Sequence, residues 1–533
     1  MKALVSALYR IDPRGAVLAA LASMASGILA AAMAIILSRA LANPGQGGAL
    51  ALAFFATAAG YFVLRILAET RLIRLTQTAA LSLRVDLGHQ ILATPQRTLQ
   101  QLGRQPVHTI LTRDIDTFSG SVQLLPILLG NVFLIAGCFA YLAWLDWRIC
   151  LAIFAALIVG ASAFRRAERG PLIRLARLRD RVDALYVRQR ALVDGTKELQ
   201  LNAKRGTDFV NTVIAPEAAA VADDHVGALS SYIWVSNLGN SLFYLVIGLV
   251  LFGLSGSASA PLLPVVILLL YLIKPVSEVL ICLPPLRQSA IALNRIAQLG
   301  DGLAHQAEVP LAAFDPTEIT LQGVTHSYGR DSEDGTFTLG PIDLTLHRGE
   351  VVFLVGGNGS GKTTLAMLLT GLYTPETGTV LIDGQPLIDD TDRAAYRQCF
   401  AAVFSDFHLF EELPGSDDPA MEDRARHYIR LLRMDHKVDV HAGRLTTIAL
   451  STGQRKRLAL VSAWLEDRPV YLFDEWAADQ DPAFKAVFYN TLLPDLKARG
   501  KAVIVISHDD AYFHVADRII KLVDGQIQPS GAP

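Results

Sequence analysis

The chain has 533 residues, of which 52% are hydrophobic and only 18% charged, with a formal net charge of −2 and a mean hydropathy of +0.35. Soluble globular chains carry about a quarter charged residues, so a wholly water-exposed protein is excluded. The near-neutral balance leaves no electrostatic footprint for nucleic acid, and the length predicts two or more domains.

Six apolar segments in the first half are long enough to cross a bilayer: Gly15–Leu41, Ala49–Ile73, Val122–Leu145, Ile149–Phe164, Tyr232–Leu254 and Pro261–Leu283. The fourth has the shortest apolar core. The connections alternate in character. Ala42–Gly48, Asp146–Arg148 and Ser255–Ala260 are short and nearly uncharged. The other two are long and rich in arginine: Arg74, Arg84, Arg97, Arg104 and Arg113, then Arg165, Arg166, Arg169, Arg174, Arg177, Arg179 and Arg181. Lys2, Arg10 and Arg14 precede the first span. Arginine and lysine stay on the cytoplasmic side, so the N-terminus, both long connections and the C-terminal domain are expected there, in a multi-pass membrane protein. Arg39–Pro44, RALANP, resembles a signal-peptidase site, but the apolar run before it is about twice a signal h-region, and no cleavage is expected.

Arg71–Ile91 and Pro171–Leu192 keep apolar residues at helical spacing. The spans are therefore expected to continue as helices beyond the membrane, with tips near Gln101–Asp116 and Thr196–Arg205. The bland alternative is two juxtamembrane helices resting on lipid headgroups. The cysteines (Cys138, Cys150, Cys282, Cys399) are scattered and read as free thiols. Domain boundaries are expected at 1–300 for the membrane domain, 301–316 for a linker and 317–533 for a second domain.

Val351–Thr364, VVFLVGGNGSGKTT, is the most informative stretch. A β-branched run opens into G-x-x-x-x-G-K-[ST] over Gly356–Thr363, and a helical pattern follows. In such a P-loop, backbone N–H groups of Gly356, Asn358, Gly359, Ser360 and Gly361 turn toward phosphates, beside Lys362, Thr363 and Thr364. Lys362 supplies a point charge and Thr363 a hydroxyl for Mg²⁺. Val470–Glu475, VYLFDE, is an apolar strand ending in two carboxylates. Asp474 is placed for Mg²⁺ and Glu475 to polarise the attacking water. Leu450–Gln454, LSTGQ, opens a helix whose N-terminus faces an anion, through Ser451, Gly453 and Gln454. Val503–His508, VIVISH, ends a buried strand with His508 at the edge where open α/β sheets bind ligands. Tyr328 is an adenine-stacking candidate, with His326 and Phe337 as competitors.

Together, Gly356–Thr364, LSTGQ, VYLFDE and His508 resemble an ATP-binding cassette over residues 317–530. Six spans ahead of it look like an exporter half-transporter. The implied fold is an all-α six-helix transmembrane domain with extended cytoplasmic helices, fused to an α/β P-loop domain. KELQLNAKR (Lys197–Arg205), VFSDFHLF (Val403–Phe410), STGQRKRLAL (Ser451–Leu460) and DEWAADQDP (Asp474–Pro482) resemble bacterial exporters of cyclic peptides and siderophore peptides, the pyoverdine and syringomycin type. The resemblance implies ATP and Mg²⁺, a homodimer with two composite sites, and Glu475 and His508 as catalytic residues. It also implies a peptide-like substrate moved by alternating access. A lipid or glycolipid flippase, a multidrug exporter and a non-transporting regulator are the alternatives.

Two departures bear on coupling. Ser405 stands where such cassettes carry a glutamine reaching the Mg²⁺ and the attacking water, so a serine is expected to act only through an extra water or a loop shift, with Asp406 able to substitute in part. After Glu475 the usual Ser-Ala-Leu-Asp reads Ala478-Asp479-Gln480-Asp481, and only Asp481 is kept. The stretch between Ser405 and Leu450 predicts a reduced helical subdomain. Inside the spans, Asn131, Asn237, Asn240, Tyr244, Lys274 and Glu278 are the candidate cavity residues, because lipid-facing polarity is costly. Lys274 and Glu278, one helical turn apart, are equally able to pair with each other. Pro275 is expected to loosen the last span.

Overall fold

The computed structural model describes Tyr9 and residues 12–42, 47–253, 262–303, 314–328, 337–415, 418 and 420–528. Lys2, Arg10, the connection 255–260, residues 43–46 and linker residues 304–313 lie outside them, as do the side chains of Arg165, Arg169, Arg177, Arg179, Asn240 and Tyr328. The chain forms two compact units: residues 1–87 with 107–300, and residues 88–106 with 301–533. The short segment 88–106, expected in the membrane domain, packs instead with the nucleotide domain.

The first unit is helical. The six predicted segments fall on α1 (Pro13–Ala42), α2 (Gly47–Ala93), α4 (Leu125–Leu145), α5 (Trp147–Asp194), α6 (Ala215–Gly248) and α7 (Leu262–Gly302). Among the described residues four helices are long and apolar enough to cross a membrane: Pro13–Leu41, Gly48–Ala93, Arg104–Leu145 and Leu263–Gly302. The apolar part of α5, Trp147–Gly160, is shorter. The Arg71–Ile91 and Pro171–Leu192 stretches are helical and continuous with α2 and α5. Alanines 30, 31 and 34 of α1 meet Leu134, Cys138 and Leu142 of α4, and such small side chains let helix backbones approach where lipid offers no hydrophobic drive. Outside the apolar stretches, α5 and α6 are joined by ion pairs, Arg181–Asp224 at 2.6 Å and Arg188–Glu217 at 3.5 Å. Helix α7 runs through Pro275, Pro284 and Pro285 without interruption.

The second unit begins with α3 (Gln96–Leu102) and continues with β1 (Glu318–Tyr328), β2 (Phe337–His347), β3 (Val351–Gly356), α8 (Lys362–Leu369), β4 (Thr377–Ile382), β5 (Gln385–Pro386) and β6 (Phe400–Val403). Then come α9 (Met421–Leu431), a short hairpin β7–β8 (Val440–His441, Arg444–Leu445), α10 (Thr452–Glu466), β9 (Val470–Asp474), β10 (Ala502–Ile506), β11 (Arg518–Val523) and β12 (Gln526–Gln528). An antiparallel sheet has order β2-β1-β4-β5, and a six-stranded sheet has order β12-β11-β3-β10-β9-β6. In the latter β11, β3, β10, β9 and β6 are parallel. The stretch between Ser405 and Leu450, expected to be a reduced helical subdomain, contains α9 and the hairpin as its named elements.

The pleat explains why these strands read as unbroken apolar runs. Val351, Phe353, Tyr471, Phe473, Val503 and Val505 face one hydrophobic cluster. Val352, Leu354, Val470, Leu472, Ile504 and Ile506 face the other. Both faces of a parallel sheet are covered, so polar alternation is lost. Phe353 is fully buried at the centre. Phe353→Ala is expected to cost about 3–5 kcal/mol of cassette stability, read as a lower thermal midpoint of the detergent-solubilised full chain with ATP absent. An unchanged midpoint would contradict this packing.

Candidate functional site: a nucleotide site at the strand edge

Strands β3, β9 and β10 are neighbours, and their carboxyl ends bring the predicted motifs to one sheet edge. This is where open α/β sheets present ligand-binding groups. The P-loop leaves β3 and enters α8 through Gly361, whose φ of +101° and near contacts exclude a side chain: a Cβ there would lie 2.9 Å from Leu339 Cδ1. Asn358 and Gly359 are exposed on the loop, while Ser360 is buried. Lys362 is buried, and its ammonium donates to the carbonyls of Gly356 and Gly357, each at 2.9 Å. The lysine thus lies against the inside of the loop that it is expected to charge. Thr364 is half-buried on the first turn of α8.

Asp474 ends β9 and is buried. Two hydroxyls approach the same carboxylate oxygen: Thr363 Oγ1 donates at 3.4 Å and Ser405 Oγ at 3.3 Å. Burial pushes the Asp474 carboxyl above its ordinary range, opposed by donors from Ser405 and Thr363. One carboxylate and two hydroxyls form an all-oxygen set of the hard kind that Mg²⁺ prefers, so the residues present fit that ion. Ser405 Oγ thus reaches Asp474 directly. Asp406 is the neighbour expected to substitute in part for the missing glutamine. It lies 3.6 Å from Arg104 in an exposed ion pair.

Glu475 follows in the left-handed region at φ 51°, which non-glycine residues adopt rarely. Its N–H donates to the Ile506 carbonyl at 3.0 Å, which fixes β9 against β10. Its Oε1 is 3.5 Å from His508 Nε2, and both side chains are part-exposed. The carboxylate and the imidazole therefore face one another at the rim of the sheet. Behind them Tyr489 and Ser507 hydroxyls pair at 2.7 Å.

The LSTGQ segment is a helix start. Ser451 and Gln454 form a reciprocal capping box, with Gln454 N–H donating to Ser451 Oγ at 3.4 Å and Ser451 N–H donating to Gln454 Oε1 at 3.2 Å. Its further partners lie in residues 475–481. Gln480 Nε2 donates to the Gly453 carbonyl at 3.0 Å, and a Cβ on Gly453 would sit 2.8 Å from the Asp479 carbonyl. Asp481 caps the helix Pro482–Val487 by accepting from Phe484 N–H at 2.9 Å and pairs with Arg457 at 2.7 Å.

Tyr328 pairs through its backbone with Phe337 at the strand end, and its side chain is outside the described residues. Of its competitors, His326 is buried and stacked on Tyr373 at 5.0 Å, whereas Phe337 lies beside Gly361. The connection between spans two and three meets the cassette earlier than expected. Arg97 pairs with Glu376 at 2.8 Å and Tyr373 Oη donates to Gln100 Oε1 at 2.8 Å, both ahead of Gln101–Asp116, while Arg104 falls within it. Arg97, Gln100 and Lys456 were missed by sequence reasoning. Lys456 carried a signal: it shares a helical face with the buried Leu460 and Ala463.

In the helical unit, Asn131 Nδ2 donates to Glu278 Oε2 at 2.7 Å, and Lys274 stands 3.8 Å from Glu278. Asn237 donates back to the Ile233 carbonyl at 3.0 Å, and Tyr244 is exposed. Arg65 and Glu69, overlooked in the second span, pair at 2.9 Å. With Tyr61, Ser26 and Asn131 they line a small cavity.

The ABC transporter family profile matches residues 339–478. The chain is 40% identical over 470 residues to the ATP-binding protein SyrD of Pseudomonas syringae pv. syringae, covering 84% of this chain and 81% of that protein. It is 25% identical over 483 residues to the ATP-dependent lipid A-core flippase of Chromohalobacter salexigens, covering 84% and 80%. A bacterial Atm1-family ABC exporter solved with ATP bound matches in fold with a TM-score of 0.73 at 19% identity, over 98% of this chain and 95% of that one. The apolar helices and the strand-edge site thus sit in one recognised architecture: the chain belongs to the ABC transporters, as a multi-pass protein with an exporter-type fold that couples ATP hydrolysis to transport.

Proposed function

We propose that two copies of this chain form an exporter that moves a peptide-like substrate, a cyclic or siderophore-type nonribosomal peptide, outward across the bacterial inner membrane. The observation that carries the peptide reading is similarity to SyrD at 40% identity across 84% of the chain, against 25% for the lipid A-core flippase over the same share. The polar seam of Asn131, Glu278 and Lys274 supports a substrate rich in hydrogen-bonding groups. The arginine-rich connections favour a cytoplasmic N-terminus and cassette.

ATP phosphates would rest on the N–H groups of Gly359 to Thr363 at the α8 N-terminus, with Lys362 beside them. Thr363, Asp474 and Ser405 would hold Mg²⁺, which supplies charge neutralisation across the phosphate oxygens. Glu475 accepts the proton of the attacking water, and His508 holds the Glu475 carboxylate and contacts the γ-phosphate. Ser451, Gly453 and Gln454 of the second copy close the site from across the dimer. ATP-driven closure reaches the helical unit through Arg97, Gln100 and Arg104, and the cavity opens outward.

The test is ATPase activity of the full chain in nanodiscs against a panel of cyclic peptides, siderophore precursors and lipid A. One peptide class raising the rate supports the proposal. Stimulation by lipid A alone would replace it with a flippase reading, and a rate that no addition changes would favour a regulator.

A further inference from the structure

Lys456 is a charged side chain, only 5% exposed, that the proposed chemistry leaves unused. It sits one turn into α10, directly after the LSTGQ segment, and its Nζ makes two contacts. It donates to the backbone carbonyl of Glu475 at 3.0 Å and pairs with Asp479 Oδ2 at 2.7 Å. The grip is returned through the backbone, because the buried Trp476 Nε1–H donates to the Lys456 carbonyl at 2.7 Å. Next to it, Arg457 binds Gln480 Oε1 at 2.8 Å and Asp481 at 2.7 Å. The Gly453 carbonyl takes the Gln480 amide. The start of α10 and residues 475–481 are therefore tied together by side chains from both directions.

Burying an ammonium is costly unless it is paired, and an apolar side chain of similar size fills such a space at least as well. Packing alone does not account for a lysine here. Direction does. An ammonium demands acceptors at set positions, and those it finds are the carbonyl of a residue held at φ 51° and the carboxylate four residues on. A backbone in that sparsely populated region persists only where its surroundings over-determine it.

We propose that Lys456 is a positioning residue that joins the two halves of the ATP machinery within one chain. The LSTGQ end of α10 reads the nucleotide held by the second copy, whereas Glu475 serves the nucleotide held by its own P-loop. Through Lys456 the first sets the backbone of the second, so Glu475 is aimed when the opposite site is engaged. This inference rests on the reading of Glu475 as the catalytic base.

The experiment measures ATPase rate against ATP concentration for the full chain in nanodiscs, together with binding of the fluorescent analogue TNP-ATP. Lys456→Met and Asp479→Asn are each expected to lower kcat roughly 10- to 100-fold, because small misplacement of a catalytic group is that costly. Affinity for TNP-ATP should stay within about 3-fold in both, since binding and chemistry separate in this way when only the transition state is affected. The double variant should be no worse than the poorer single, the non-additivity expected of contacting partners. Lys456→Arg should recover part of the rate. Wild-type kcat in folded Lys456→Met, or affinity falling in step with kcat, would overturn the proposal. If Lys456→Met does not fold, Asp479→Asn carries the same expectation, and a wild-type rate there overturns it equally. Glu475→Gln separates the two readings. Full turnover in that variant removes the catalytic base, whereas its inactivity beside a fully active Lys456→Met removes the positioning role alone.

Discussion

Glu475→Gln is expected to hydrolyse ATP roughly 100- to 10,000-fold more slowly than wild type while still retaining nucleotide, the span expected for loss of a general base. The substitution preserves shape, so the residue keeps its place opposite His508 and its N–H bond to the Ile506 carbonyl. What is lost is an oxygen that accepts a proton from water. The measurement is single-turnover hydrolysis of radiolabelled ATP beside filter retention of the unhydrolysed nucleotide. Hydrolysis near the wild-type rate would place the base elsewhere, and loss of retention would mean the site had collapsed. Glu475 faces the end of β10, where His508 lies 3.5 Å away. Asp474, one residue earlier, faces Thr363 and Ser405. One strand end thus points successive carboxylates apart, as the proposed division into an ion-binding and a proton-accepting group requires.

The second large effect lies in binding. Lys362→Met should weaken ATP affinity by about 10- to 100-fold, the size of a lost charge-assisted contact to phosphate. Lys362 is buried with its ammonium on the carbonyls of Gly356 and Gly357, so the variant loses both the charge and the group that turns these carbonyls inward. Titration with TNP-ATP reads the affinity directly. The signature is opposite to that of Glu475→Gln: here affinity fails first, and saturating ATP restores part of the turnover. A variant that binds normally but does not hydrolyse would assign Lys362 to chemistry alone.

Much of the nucleotide site was legible because it is local. A β-branched strand, a glycine-rich turn and a helix start are written in consecutive residues, and the positions of Lys362 and Thr363 follow from that turn. Asp474 and Glu475 were legible for the same reason, as carboxylates at the end of an apolar run. The six apolar segments were likewise legible by length, and all fall on helices, although only four helices among the described residues meet the length and hydropathy of a crossing.

What went unread concerns groups distant in sequence. Ser405 was expected to need a water or a loop shift to reach the ion, and the end of β6 brings its hydroxyl within 3.3 Å of Asp474. Asp406 pairs with Arg104, a partner that no local pattern announces. Arg65 and Glu69 went unnoticed because an arginine near the end of a span looks ordinary until its neighbours on other helices are known.

The sequence by itself determined that this chain holds a membrane half and an ATP-binding half, since hydropathy and the P-loop are properties of contiguous residues. Only the tertiary structure decided that segment 88–106 belongs with the cassette, that Ser405 and Thr363 share one carboxylate oxygen, and that Lys456 grips the backbone of Glu475. Each of these depends on strand order and helix packing, which place residues tens to hundreds of positions apart within hydrogen-bonding distance, and no local pattern encodes that approach.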